Sequence, residues 1–200
     1  MLDRSIPFYN TILKCEHDEV AETDVPAGYH LRNYQAGDEK AWAKLEVEVG
    51  DFSSADEAEE FFASQYMRSM DELRERGFFV TDEQGSVVGS CIAWKDRRGT
   101  ALVASLHWLV VSSDHQGKGL GKLLCQRVLK AFQERDEFPV YIHTQPWSYI
   151  AILLYVRQGF KLQRTDTFAH YENQYDLAMN TLKKIVTAAQ YDELVAGSEG

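Results

Sequence analysis

The stretch Asp114–Leu124, DHQGKGLGKLL, places three glycines and two lysines within six residues of a chain whose formal net charge is −10. Glycine lets the backbone approach a ligand closely and adopt conformations closed to other residues. A helix that opens here leaves its first amides without intrahelical partners and carries partial positive charge at that end. Gln116, Gly117, Lys118, Gly119, Leu120, Gly121 and Lys122 therefore read as an anion cradle of a size to take a pyrophosphate, with the two lysines at its rim. A P-loop would need glycine at Gln116 and Ser or Thr at Leu123, and GxGxxG would need glycine at Lys122 or Leu124, so both nucleotide patterns fail. From Asp114 to Arg135 five Lys or Arg stand against two Asp or Glu, while from Asp38 to Arg76 twelve acidic residues stand against five basic ones. An anion is expected at the first region; the second suits a cation or is simply a solvated face.

Other residues could move protons. His107, in SLHWLVV, lies on a strand leading into the cradle, on the same side as Leu109 and opposite Trp108. Glu46 and Glu48 lie on the two flanks of an apolar helix stripe and are candidate bases or ammonium binders. Cys15, Cys91 and Cys125 are widely spaced and without a CxxC, so they read as buried thiols in a reducing cytoplasm. CEHDE, Cys15–Glu19, has the residue types of a metal site but lacks a second ligand pair, and no metal is expected.

These groups must be positioned by a fold. The chain is long enough for a real core, has no apolar run of membrane-spanning length and shows no secretory h-region. Net acidity argues against nucleic acid. YHLRNY reads as a strand; a helix follows with Asp38 as N-cap and Trp42, Leu45, Val49 and Phe52 on one side. Ala55–Arg76 reads as one longer helix stopped by Gly77. FFVTD, SVVGSCIAWK and ALVASLHWLVV are three strands joined as hairpins. LGKLLCQRVLKAFQER is a helix, PVYIHT a strand, WSYIAILLYVRQ a helix, and GFKLQRT and QYDLAMN are strands. The order gives an α/β (α+β) fold: a mixed, mostly antiparallel sheet with helices on both faces.

Gln116-Gly-Lys-Gly119-Leu-Gly121 resembles the Q/R-x-x-G-x-G/A signature of the GNAT superfamily of acyl-CoA-dependent N-acyltransferases. About forty residues on, SYIAILLYVRQGF is similar to that family's second signature, N-x-x-A-x-x-x-Y-x-K-x-G-F. Ala151, Tyr155, Gly159 and Phe160 match it, Arg157 replaces lysine, and Ser148 stands in place of asparagine. The resemblance covers Tyr29 to Asn180. It implies a sheet splayed at the cofactor cleft, an N-acetyltransferase domain over 29–182, an N-terminal extension over 1–28 and a C-terminal tail over 183–200, helical then frayed. It implies acetyl-CoA as co-substrate, held by the cradle, by the main chain of Leu109, Val110 and Val111, and by Ser148, Ala151 and Tyr155. A primary amine would attack the thioester directly, with an amide near Val110 polarising the carbonyl, Tyr155 as acid, and His107 or a Glu46- or Glu48-linked water as base. A small-molecule amine is expected ahead of a protein acceptor, with Tyr171 and Glu172 as candidate walls of its pocket. The extension is open to completing the sheet, packing on a partner subunit in a homodimer, or covering the site. A non-catalytic acyl-CoA-binding or sensing module is the alternative.

Overall fold

The structure is a computed structural model and describes residues 2–16, 19–21 and 23–200. His17 and Asp18 of CEHDE lie outside the described residues. In chain order the elements are β1 (Thr11–Cys15), β2 (Tyr29–Asn33), α1 (Asp38–Val49), α2 (Ala55–Tyr66), α3 (Met70–Arg76), β3 (Gly77–Asp82), β4 (Val87–Arg98) and β5 (Ala101–Val111). There follow α4 (Leu120–Gln133), β6 (Val140–Thr144), α5 (Tyr149–Arg157), β7 (Lys161–Gln163), α6 (Tyr175–Ile185), α7 (Ala188–Ala196) and β8 (Ser198–Glu199). The fold class is the expected one, a mixed and mostly antiparallel sheet flanked by helices, with parallel pairing at β5–β6 and β7–β8. No helix among the described residues is long and apolar enough to cross a membrane. The chain divides into two compact units, one containing Ala21–Trp94 and Leu106–Ala131, the other Asp3–Val20, Lys95–Ser105 and Phe132–Gly200.

In the first unit the strands run β2-β3-β4-β5. Trp42, Phe62, Tyr66, Phe79 and Ile92 are fully buried together, so α1 and α2 cover this part of the sheet through their aromatic stripes. Asp38 is not the cap of α1. Gly37 holds that position at φ 105, and the Asp38 carboxylate instead accepts from the Gln35 amide at 2.7 Å and from Arg32 at 2.6 and 2.8 Å. The long helix expected over 55–76 is interrupted: the backbone leaves helical dihedrals at Ser69 (φ −125, ψ 56), and Met67–Ser69 forms a tight turn between α2 and α3. Gly77 then starts β3 directly, where a Cβ would lie 3.1 Å from both the Leu73 carbonyl and Tyr34 Cβ.

In the second unit the order is β4-β5-β6-β1-β7-β8. β1 pairs antiparallel with both β6 and β7, so residues 11–15 complete the sheet, and the successive residues Ile12 and Leu13 are both buried. QYDLAMN is not a strand. Most of it belongs to α6, because the pattern continues helically and buries Ala178, Met179 and Leu182 on one face. α7 starts with a capping box at Thr187 and Gln190, and Ser198–Glu199 pair with β7.

Candidate active site

In the first unit, β5 ends at Val111, a short turn spans Ser113–His115, and α4 begins at Leu120. Gly117 and Gly119 have φ +74 and +85, the left-handed region that glycine enters without strain. A Cβ at Gly117 would meet nothing within 4 Å and one at Gly119 only Pro26, so the dihedral rather than crowding demands glycine. The Gly119 carbonyl accepts the Leu123 amide at 3.0 Å, which leaves the amides of Leu120, Gly121 and Lys122 ahead of the first intrahelical bond. Leu120 is buried and anchors the helix, while Gln116–Gly119 and Lys122 are exposed. Gln116 Nε2 donates to the Val111 carbonyl at 3.0 Å and Lys118 Nζ to the Asp114 carbonyl at 3.0 Å, which ties the loop in place. Beside it, Tyr29 Oη and His115 Nδ1 are 2.9 Å apart.

His107 and Trp108 sit upstream on β5. Trp108 has φ 50, a costly conformation for a bulky residue, and it breaks the simple alternation expected along this strand. His107 Nδ1 lies 2.8 Å from the hydroxyl of Tyr66, a fully buried residue of α2. Val110 is buried, and Leu109 and Val111 are half-buried; the Val110 carbonyl is what a Cβ at Gly89 would meet, at 3.0 Å.

The two glutamates of α1 part company. Glu48 is exposed, and its Oε1 accepts from the Ser113 amide at 2.7 Å and Ser112 Oγ at 3.1 Å. Desolvation pushes its pKa up, but these hydrogen bonds outweigh it and hold the carboxyl below its ordinary value. It also lines an open recess of about 460 Å³ with Lys40 and Lys44. Glu46, expected on a solvated flank, is only 1% exposed, and its Oε1 has no hydrogen-bond partner among the described residues. Burial first, and the nearby Asp51 carboxylate second, push its pKa well above the usual carboxylate range.

The second unit holds the other candidates. Tyr155, on α5, is 5% exposed and meets Phe160 edge-on at 5.9 Å. Ser148 precedes α5 and its Oγ accepts from Gln145 Nε2 at 2.9 Å; Ala151 lies on the first turn, half-buried. His143 stacks on Tyr171 at 3.6 Å and 8°, and its Nε2 is 2.9 Å from Asn10 Oδ1. Desolvation, aided by His170, lowers the His143 pKa to about 4, so its ring is neutral at neutral pH. The cradle, Leu109–Val111, His107, Glu46 and Glu48 thus belong to one unit, and Ser148, Ala151 and Tyr155 to the other.

Residues 42–160 match the Acetyltransferase (GNAT) family, more than half of the chain and both glycine-bearing motifs. The chain belongs to this family. Among curated relatives, mycothiol acetyltransferase of Streptomyces bingchenggensis is 25% identical over 151 residues, 74% of this chain and 48% of that protein. N-acetyltransferase 8F1 of Mus musculus is 34% identical over 86 residues, 42% of this chain and 39% of its own length. The chain spans about half the length, or less, of these relatives. A GCN5-related N-acetyltransferase from Sphaerobacter thermophilus shares the fold with TM-score 0.61 at 20% identity, over 76% of this chain and 48% of that one. A tandem GNAT protein from the clavulanic acid biosynthesis pathway aligns with TM-score 0.57 at 22% identity, over 80% and 52%.

Sequence reading missed Tyr66 and Tyr29 as partners of the two histidines. Both are remote in the chain from His107 and His115, and nothing local to either tyrosine signals the pairing. It also missed the ring cluster around Trp108, whose members come from α1, the turn after it, α2 and β5.

Proposed function

We propose that the chain is an N-acetyltransferase that moves an acetyl group from acetyl-CoA to a primary amine. The observation that carries the reading is the start of α4, where the amides of Leu120, Gly121 and Lys122 precede the first intrahelical bond and follow two left-handed glycines, inside the family-matched region. Those amides, with Gln116–Gly119, would hold the pyrophosphate, and Leu109–Val111 would pair through the main chain with the extended arm. When bound, acetyl-CoA supplies an acyl group activated as a thioester. Ser148 and Ala151 are assigned to the same co-substrate in this reading.

An amine with a pKa near 10.4 must lose a proton, which costs roughly 4.6 kcal/mol at pH 7. His107 takes that proton, with Tyr66 fixing its ring through the 2.8 Å contact at Nδ1. The free amine would attack the carbonyl carbon to give a tetrahedral intermediate, whose collapse would break the C–S bond. Tyr155 would give its phenolic proton to the departing sulfur and regain one from solvent as the nitrogen sheds its second proton. Glu48, engaged with two serines, serves the loop after β5 better than it serves as a base. A reducing, cytoplasmic setting fits three buried thiols.

The test begins with thermal unfolding. Acetyl-CoA at about a hundred times its Kd adds about 2.7 kcal/mol, several degrees for a chain of this size. Release of free CoA on adding amine then measures transfer. Tyr155→Phe is expected to cut turnover about a hundredfold or more with acetyl-CoA affinity unchanged. Unchanged turnover would remove Tyr155 from the mechanism, and binding without transfer to any amine would leave a sensing module.

A further inference from the structure

Residues 26–29, where the chain enters β2, form a turn that sits against the loop between β5 and α4, all within the first unit. The Tyr29 amide donates to the Pro26 carbonyl at 3.2 Å, and Gly28 takes φ +83, the left-handed dihedral such a turn favours at its third position. Three contacts join this turn to three residues of the loop. Tyr29 Oη lies 2.9 Å from His115 Nδ1, and the two rings meet edge-on at 5.7 Å. Lys118 Nζ lies over the Tyr29 ring, 5.9 Å from its centroid. Pro26 Cγ is the atom that a Cβ at Gly119 would meet, at 4.0 Å. Tyr29 and His115 are 86 positions apart in the chain, so their contact carries a loop-closure cost that bonds within the loop do not.

The phenol is the more acidic of the two groups, so Tyr29 donates and His115 Nδ1 accepts. A neutral imidazole has one N–H, which this bond confines to Nε2. Nothing among the described residues takes up that N–H. Lys118 uses one donor on the Asp114 carbonyl at 3.0 Å and keeps two. Both side chains therefore carry unused donors in the same loop that ends at the open amides of Leu120, Gly121 and Lys122. A glycine-rich loop left to itself samples many shapes, and a loop fixed beforehand loses less freedom when a ligand binds. We propose that Tyr29 is a positioning residue for the phosphate groups of the co-substrate: it fixes His115 as an Nε2–H donor and holds Lys118 beside it, so the turn before β2 belongs to the anion site. This rests on the acetyl-CoA reading above and adds to it a side-chain donor and the residue that orients that donor.

The experiment measures kcat and KM for acetyl-CoA and for S-acetylpantetheine, which carries the same thioester arm without phosphates. Tyr29→Phe keeps the ring and removes the hydroxyl. It is expected to raise KM for acetyl-CoA about threefold to tenfold at unchanged kcat, and to change kcat/KM for S-acetylpantetheine by less than about twofold. His115→Asn keeps a partner for Tyr29 without the outward N–H and should cost about tenfold in the same selective way. His115→Gln, whose Nε2 reaches the outward position, should restore most of that loss. An equal loss with both donors, a loss confined to kcat, or unchanged kinetics would overturn the proposal while leaving acetyl transfer intact. In parallel, inorganic pyrophosphate is titrated calorimetrically with no acetyl-CoA present. Binding that weakens in Tyr29→Phe supports the assignment even if no transfer is seen. Binding that is unaffected or absent at millimolar pyrophosphate, together with no selective loss in transfer, overturns it. An absent thermal shift with acetyl-CoA would count against the co-substrate reading alone.

Discussion

Glu46→Gln isolates the effect of one buried titration on stability. The carboxyl is 1% exposed, one oxygen lacks a partner among the described residues, and Asp51 opposes its ionisation. Its pKa in the folded protein is therefore well above the unfolded value of 4.5. Between those two values the folded protein keeps a proton that the unfolded chain has released. More protons are bound in the folded state, so stability falls as pH rises through that window and levels off above the folded pKa. The loss is up to about 1.4 kcal/mol per pH unit, or roughly 3–5 °C per unit for a chain of this size. Glutamine keeps the shape and removes the titration. Melting curves from about pH 5 to pH 7, followed by circular dichroism, should show the variant gaining on the parent with each step in pH. The absolute offset between the two depends on where the new amide finds partners, so the diverging slopes are the readout. Curves that run parallel across the window would mean that Glu46 ionises normally, and the account of its burial would be wrong.

Gly119→Ala should lower Tm by roughly 2–4 °C, because a left-handed backbone costs alanine about 1 kcal/mol, and it should shrink the stabilisation by acetyl-CoA measured in the same melts. Tyr66→Phe removes the hydroxyl at His107 Nδ1; a loss of about 1 kcal/mol in denaturant is expected, together with a shifted limb in the pH profile of kcat/KM, and an unmoved profile would reduce Tyr66 to packing. Gly77→Ala places a methyl 3.1 Å from the Leu73 carbonyl and Tyr34 Cβ, so a loss of about 1–3 kcal/mol in urea unfolding is expected, and a neutral result would show that β3 can shift to make room.

The turn between β5 and α4 could be read from sequence because everything it needs is contiguous: a strand end, glycines that permit left-handed turns, and a helix start. Glu46 could not. A charged residue at the edge of an apolar stripe is solvated unless another element covers it, and helical periodicity is blind to what lies opposite. The pairing of Tyr66 with His107 depends on how α2 lies against β5, which no local pattern encodes. QYDLAMN alternates well enough for a strand over its few residues. Only the continuation TLKKI gives the window length at which a period of 3.6 separates from a period of 2. TILKC went unrecognised as β1 because a short run with almost every residue buried offers neither period.

β1 bears on how this protein comes into being. Its partners in β6 and β7 are translated long after it, so Thr11–Cys15 must wait through most of synthesis before any ladder can receive it. Contacts so distant along the chain are slow to close, and the second unit cannot finish folding ahead of them. Until then β6 and β7 present facing edges with a vacancy one strand wide, an invitation to any extended segment of a neighbouring nascent chain. A fusion or tag placed just before Thr11 would act on this late docking step, slowing folding while leaving the cradle's own local geometry unaffected.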